Sequence, residues 1–141
     1  MIIGKAEKMP FENQSIDLIT SNNGLNNVED LSLVLLECYR VLKPGGKLIF
    51  TMNTEETMLE FYNVLENTLQ DHGLSESVNN LKKHIYDKRK PVDEIKNLLI
   101  MNDFSSIKME EDEFCYKFSD GTTMFQHFFI RLAFLDSWKE I

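Results

Sequence analysis

Residues Ile16 to Asn53 read IDLITSNNGLNNVEDLSLVLLECYRVLKPGGKLIFTMN, and the order of residue types in this stretch decides the fold. Ile16, Leu18, Ile19 and Thr20 form a short run rich in strand-favouring side chains, and Ser21-Asn22-Asn23-Gly24 closes it with residues that prefer turns. A strand ending near Ser21 follows. Asn27 then offers a helix cap with Asp30 as an acid in the first turn, and Val28, Leu31, Leu35, Tyr39 and Leu42 recur on one helical face. Lys43-Pro44-Gly45-Gly46 stops that helix, because proline disfavours helical geometry at the residue before it and the glycines allow a sharp reversal. Lys47 to Met52 is apolar and extended in character. Strand, helix and strand in this order predict a βαβ unit with parallel strands and a right-handed crossover.

These residues carry a resemblance. GKAEKMPFENQSIDLITSNNGLNNVED, followed by ECYRVLKPGGKLIFTMN, resembles the middle of a class I S-adenosylmethionine-dependent methyltransferase, of the small-molecule, methyltransferase type 11-like kind. The matching pattern is G-D-A-x-x-L-P-F, then S-F-D, then R-V-L-K-P-G-G, over roughly the first half of the chain. GLNNVED is also similar to the corresponding loop of quinone-biosynthesis methyltransferases. The resemblance implies an α/β, incomplete Rossmann-like methyltransferase fold. Its mixed sheet would hold two parallel strands and a terminal antiparallel hairpin, flanked by helices. It also implies S-adenosylmethionine as cofactor. The family's glycine-rich G-x-G-x-G turn is not in this sequence, whose six glycines include no G-x-G arrangement. Residues Met1 to Ile3 are expected as the tail of the family's third strand. The expectation is therefore a single truncated methyltransferase-like domain over residues 1–141, lacking the half that cradles methionine and ribose.

Site residues follow from the resemblance. Lys5 stands where the family usually places an aspartate that accepts from the adenine amino group, and lysine cannot accept. The Ala6 amide would meet the ring, and Glu7 is the available substitute acceptor. Ser21, Asn22, Asn23 and Gly24 lie at the carboxyl end of their strand, where open α/β sheets bind ligands, and would line the methionine end of the cofactor. Asn27 would orient a substrate. Methyl transfer from a sulfonium is an in-line displacement that alignment can largely drive, so no catalytic base is assigned. Asn22 lacks the following Pro-Pro-aromatic signature of amino-group methyltransferases, which disfavours nucleic-acid and protein amines as substrates. Turn and cap chemistry alone also explains these asparagines.

Composition bounds the alternatives. A chain of 141 residues with 43% hydrophobic content can bury one modest core. Its formal charge of −8 and pI near 4.9 argue against nucleic acid or an anionic membrane as partner. No apolar run is long enough to span a bilayer, and Met1 opens no signal-peptide pattern. Cys38 and Cys115 have neither zinc nor disulfide spacing and read as reduced thiols of a cytoplasmic protein. No metal site is expected.

The remainder reads mainly as helix. Thr54, Glu55 and Glu56 open a helix carrying Met58, Phe61, Tyr62, Leu65 and Leu69, which ends at His72-Gly73. Residues 75–90 read as a helical insertion with a narrow stripe of Val78, Leu81 and Ile85 among Lys82, Lys83, His84, Lys88, Arg89 and Lys90. That basic cluster fits either a solvated face or an anionic ligand. Pro91 is expected in the first turn of a helix ending at Asn102. Phe104 to Met109 and Phe114 to Phe118, joined by Glu110-Glu111-Asp112-Glu113, are expected as the antiparallel hairpin. Residues after Asp120 are expected as one helix, apolar on too many sides for a single packed face, with His127 and Arg131 four residues apart as candidate binders of a substrate acid.

Two functions fit. One is a methyltransferase acting on a small molecule, impaired in cofactor binding on its own. The other is a non-catalytic accessory or interaction subunit. Because the strand at Ile16 would lie at an uncovered edge, a homo-oligomer or a partner supplying the missing half is expected.

Overall fold

The computed structural model describes residues 3–141; of the strand remnant expected at Met1 to Ile3, Met1 and Ile2 lie outside the described residues, and Ile3 is exposed and in no strand. Two strands, β1 (Ile16–Asn22) and β2 (Leu42–Thr51), pair in parallel, with Ile19 opposite Leu48 and Asn22 opposite Thr51. The helix α1 (Leu31–Val41) joins them, so the βαβ unit forms where the change of hydrophobic period places it. The ladder steps from Ile16–Leu42 directly to Leu18–Lys47, and Lys43 to Gly46 bulge out of it. Gly45 has φ +79°, and a Cβ on Gly46 would approach the Lys43 carbonyl oxygen to 2.9 Å. Both glycines are thus required by the bulge.

Two details of α1 differ from expectation. Asp30, not Asn27, is the cap: its Oδ1 accepts from the Leu33 amide at 3.0 Å, while Asn27 ends a short 3-10 turn at Leu25–Asn27. The buried face is Leu31, Val34, Leu35, Cys38 and Val41, whereas Tyr39 is half exposed. Starting the helix later rotates the stripe.

Behind the βαβ unit come α2 (Leu59–Asp71), α3 (Ser75–Lys88) and α4 (Val92–Met101). Pro91, with ψ 141°, caps α4 instead of entering its first turn. Gly73 takes φ +71° and ends α2 as the His72-Gly73 pair suggested.

The expected antiparallel hairpin is not formed. Residues 104–118 run without strand, and Phe114 and Tyr116 remain exposed. A lone hairpin is marginal in water, and four consecutive acids at its turn repel one another. The single terminal helix is also corrected. It is three pieces, α5 (Gly121–Gln126), α6 (Phe128–Ala133) and α7 (Leu135–Lys139), broken at His127 with ψ 132° and at Phe134 with φ −132°. The breaks relieve a helix that would carry apolar side chains on every side.

Two hydrophobic clusters result. One joins Leu25, Leu31, Val34, Leu35, Cys38, Ile95 and Leu99 against the sheet residues Ile19, Leu48 and Phe50. The other joins Tyr62, Leu81, Ile130, Phe134 and Trp138, where the Trp138 indole N–H donates to the Tyr62 hydroxyl at 2.9 Å.

Candidate functional site

Because β1 and β2 are parallel, their carboxyl ends open on the same side, and the loops leaving them meet there. Asn23 donates its amide to the Thr51 carbonyl at 3.1 Å, and Thr51 Oγ1 donates to Asn22 Oδ1 at 2.6 Å. Asn27 Nδ2 donates to the Asn23 carbonyl at 3.3 Å. Ser21 lies close beneath Gly24, where an added Cβ would come within 2.7 Å of its Oγ. Ser21, Asn22, Asn23, Gly24 and Asn27 are therefore brought together, as a mutually bonded turn.

The Lys5 to Glu7 loop docks beside the start of α1. Lys5 Nζ lies 3.3 Å from Glu29 Oε1, both exposed, and Glu7 Oε1 accepts from the Glu29 amide at 3.1 Å. Backbone hydrogen bonds hold the Glu7 carboxyl below its ordinary range. Ala6 is half-buried against the first cluster. His127 and Arg131 sit elsewhere, at the α5–α6 junction. His127 packs among Tyr116, Phe118 and Phe128, its Nδ1 buried without a hydrogen-bond partner among the described residues, and Arg131 is exposed.

The cleft at this end of the sheet has a volume of about 320 Å³ and is lined by Leu25, Asn26, Val28, Glu29, Leu31, Met52, Asp87, Lys88 and Lys90. Asn26 organises it and was missed by sequence reading. Buried, it donates Nδ2 to the Asn53 carbonyl at 3.0 Å and the Lys88 carbonyl at 2.8 Å, while Oδ1 accepts from the Asn53 amide at 3.0 Å. One amide thus ties the loop after β1 to the end of β2 and the end of α3. The only sequence signal was its place in an asparagine-rich turn.

The geometry can now be set beside known proteins. Residues 1–50 match a family described as methyltransferase domain. Across the first part of the chain, 62 residues are 42% identical to a malonyl-[acyl-carrier protein] O-methyltransferase of Coxiella burnetii, covering 44% of this chain and 22% of that protein. A demethylmenaquinone methyltransferase of Oceanobacillus iheyensis is 39% identical over 61 residues, 43% of this chain and 26% of its own. The chain therefore spans about a quarter of the length of these methyltransferases. A solved S-adenosylmethionine-dependent methyltransferase of Thermotoga maritima, described as a possible histamine N-methyltransferase, aligns over 70% of this chain and 42% of its own at 24% identity and a TM-score of 0.49.

Similarity to a methyltransferase domain makes S-adenosylmethionine the group against which these residues are tested. The described residues do not complete a cradle for it. Lys5 supplies no acceptor for an adenine amino group, Glu7 is already committed to the Glu29 amide, and Asn22 Oδ1, the Asn23 backbone and Asn27 Nδ2 are engaged within the turn or with Thr51. Of the residues expected to hold it, none lines the 320 Å³ cleft, whose far wall comes from α3 and the segment after it. The six glycines of the sequence include no G-x-G arrangement.

Proposed function

We infer that this chain contributes one wall of a methyl-transfer site for a small-molecule acceptor, with S-adenosylmethionine as donor. The observation that carries it is the parallel β1–α1–β2 unit, whose strand ends carry the Asn22–Asn23 turn within the stretch matched to the methyltransferase domain. The small-molecule class follows the named relatives, whose acceptors are a malonyl group on a carrier protein and a demethylmenaquinone. The wall is incomplete by itself. A second polypeptide carrying a glycine-rich segment completes it, or self-association covers the edge of β1 that is unpaired among the described residues. Sedimentation is expected to show an associated species, and a strictly monomeric one counts against completion by a second copy.

Calorimetric titration with S-adenosylhomocysteine tests the catalytic reading. Saturable heat with a thermal shift supports it. Absence of both removes it for this chain and leaves the second reading, a non-catalytic accessory subunit. One observation favours that alternative: Asn22 Oδ1, the Asn23 backbone and Asn27 Nδ2 are engaged within the turn or with Thr51.

A further inference from the structure

The acidic run and the terminal helices meet at one apolar patch. The rings of Phe114 and Tyr116 touch edge to face at 5.4 Å, Tyr116 lies 5.5 Å from His127, and His127 lies 4.9 Å from Phe128. Leu132 stands one turn after Phe128 on α6 and so shares its helical face. Phe114, Phe128 and Leu132 are 79%, 73% and 84% exposed, and Tyr116 is 45% exposed. Neighbouring large apolar groups at this exposure mark a surface that meets a partner. Charge borders the patch at two ends. Glu111, Asp112 and Glu113 precede Phe114, and none of them is ion-paired among the described residues, whereas Glu110 is taken by Lys108 at 2.7 Å. Among the described residues the Phe114 ring pairs with Tyr116 alone, so the acids lie at the end away from α6. At the α6 end stands Arg131, exposed and also without an ion pair among the described residues.

We propose that this patch pairs with the same patch of a second copy of the chain, in a two-fold dimer that sets Arg131 of each copy on the acids of the other. A two-fold contact is self-complementary, and a patch with acids at one end and a cation at the other meets that condition. At about 200 Å² for a large side chain, the exposed parts of the four apolar groups supply roughly 500 Å² per copy. A standard interface takes about 800 Å² per partner, so the dimer is weak, with a dissociation constant of about 10–100 µM. Two chains of charge −8 repel, but physiological salt screens that repulsion beyond about 8 Å and leaves the charges at the contact to decide. None of these residues lies in the matched stretch 1–50 or in the βαβ unit, so the dimer stands apart from the methyl-transfer reading and from pairing along β1.

Sedimentation velocity of the whole chain from about 1 µM to about 500 µM, at physiological ionic strength, reads the proposal out. The parent chain is expected to pass from monomer to dimer across the series. A monomer at every concentration overturns the proposal. Phe114→Ser with Leu132→Gln alters the two most exposed groups of the patch, so Trp138 emission should stay as in the parent while the dissociation constant rises about tenfold or more. Unchanged association in that variant overturns the proposal and assigns the dimer to another surface, such as the edge of β1. Arg131→Glu is expected to weaken the dimer severalfold, and Asp112→Lys added to it should restore the parent affinity while holding the formal charge at −8. No recovery in the doubly substituted chain removes the proposed pairing across the two-fold axis.

Discussion

Arg40 shows how much one side chain of a family-like motif can do for structure. It donates Nη1 to the Phe11 carbonyl at 2.9 Å and to Asn13 Oδ1 at 2.6 Å, and Nη2 to the Met9 carbonyl at 3.2 Å. It also forks onto Glu37 at 2.8 and 2.6 Å, and Glu37 accepts the Met9 amide at 2.7 Å. The pair fastens the long loop before β1 to α1, and the Arg40 guanidinium holds the Glu37 carboxyl below its ordinary range. With the native value lowered, the unfolded chain takes up the proton first, so this contribution is complete above the unfolded value and is lost as pH falls through the native one. Urea midpoints measured from about pH 6 down to about pH 3 should therefore decline less steeply in Arg40→Met than in the parent chain. Equal slopes would show that the pair contributes nothing to acid stability. R-V-L-K-P-G-G was legible in the sequence as a motif, but its arginine's task was not, because the two backbone carbonyls and the Asn13 side chain it serves belong to a loop with no periodic signal.

Among the elements, the βαβ unit was readable because period-2 and period-3.6 patterns alternate there with turn residues between them. Asn27 was the expected cap and Asp30 an acid of the first turn, and a 3-10 turn ending at Asn27 leaves Asp30 as the cap. The hairpin was unreadable as absent. Phe104–Met109 and Phe114–Phe118 carry strand-like residues, but a lone hairpin with four acids at its turn is too weak to form. Asn26 is the residue on which the element arrangement depends most. Asn26→Ala removes three hydrogen bonds at a buried point and is expected to cost about 3 kcal/mol in chemical denaturation. It should also free the segment after β2, visible as faster amide exchange at Asn53. A loss under about 0.5 kcal/mol would show that water replaces the amide without penalty.

For the molecule as a whole, composition suggested one modest core and the structure has two. Leu35 and Cys38 lie at the centre of one, and Ile130 and Trp138 lie in the other. Each carries its own reporter. Trp138 is the sole tryptophan, and the Cys38 thiol is pushed up to about 11 by burial and then by the Glu37 charge, whereas Cys115 is exposed. Thiol labelling should thus take Cys115 at once and Cys38 only when the first cluster opens. Ile130→Ala leaves a cavity at a fully buried position and should cost about 2–4 kcal/mol in the tryptophan transition. It should shift Cys38 protection by much less, whereas an equal shift of both would show a single cooperative unit. The two-cluster arrangement was not legible because it depends on where the terminal segment breaks, at His127 and Phe134, and neither residue is a habitual helix breaker.

The ribbon of β1 and β2 has a practical corollary. Leu18 and Ile49, 51% and 55% exposed, put greasy carbon on its water-facing side. Excluded salts strengthen contact between such surfaces. Ammonium sulfate should therefore drive copies of this chain to stack ribbon against ribbon well before a polyethylene glycol of equal precipitating power does, and Leu18→Thr with Ile49→Thr should erase that difference.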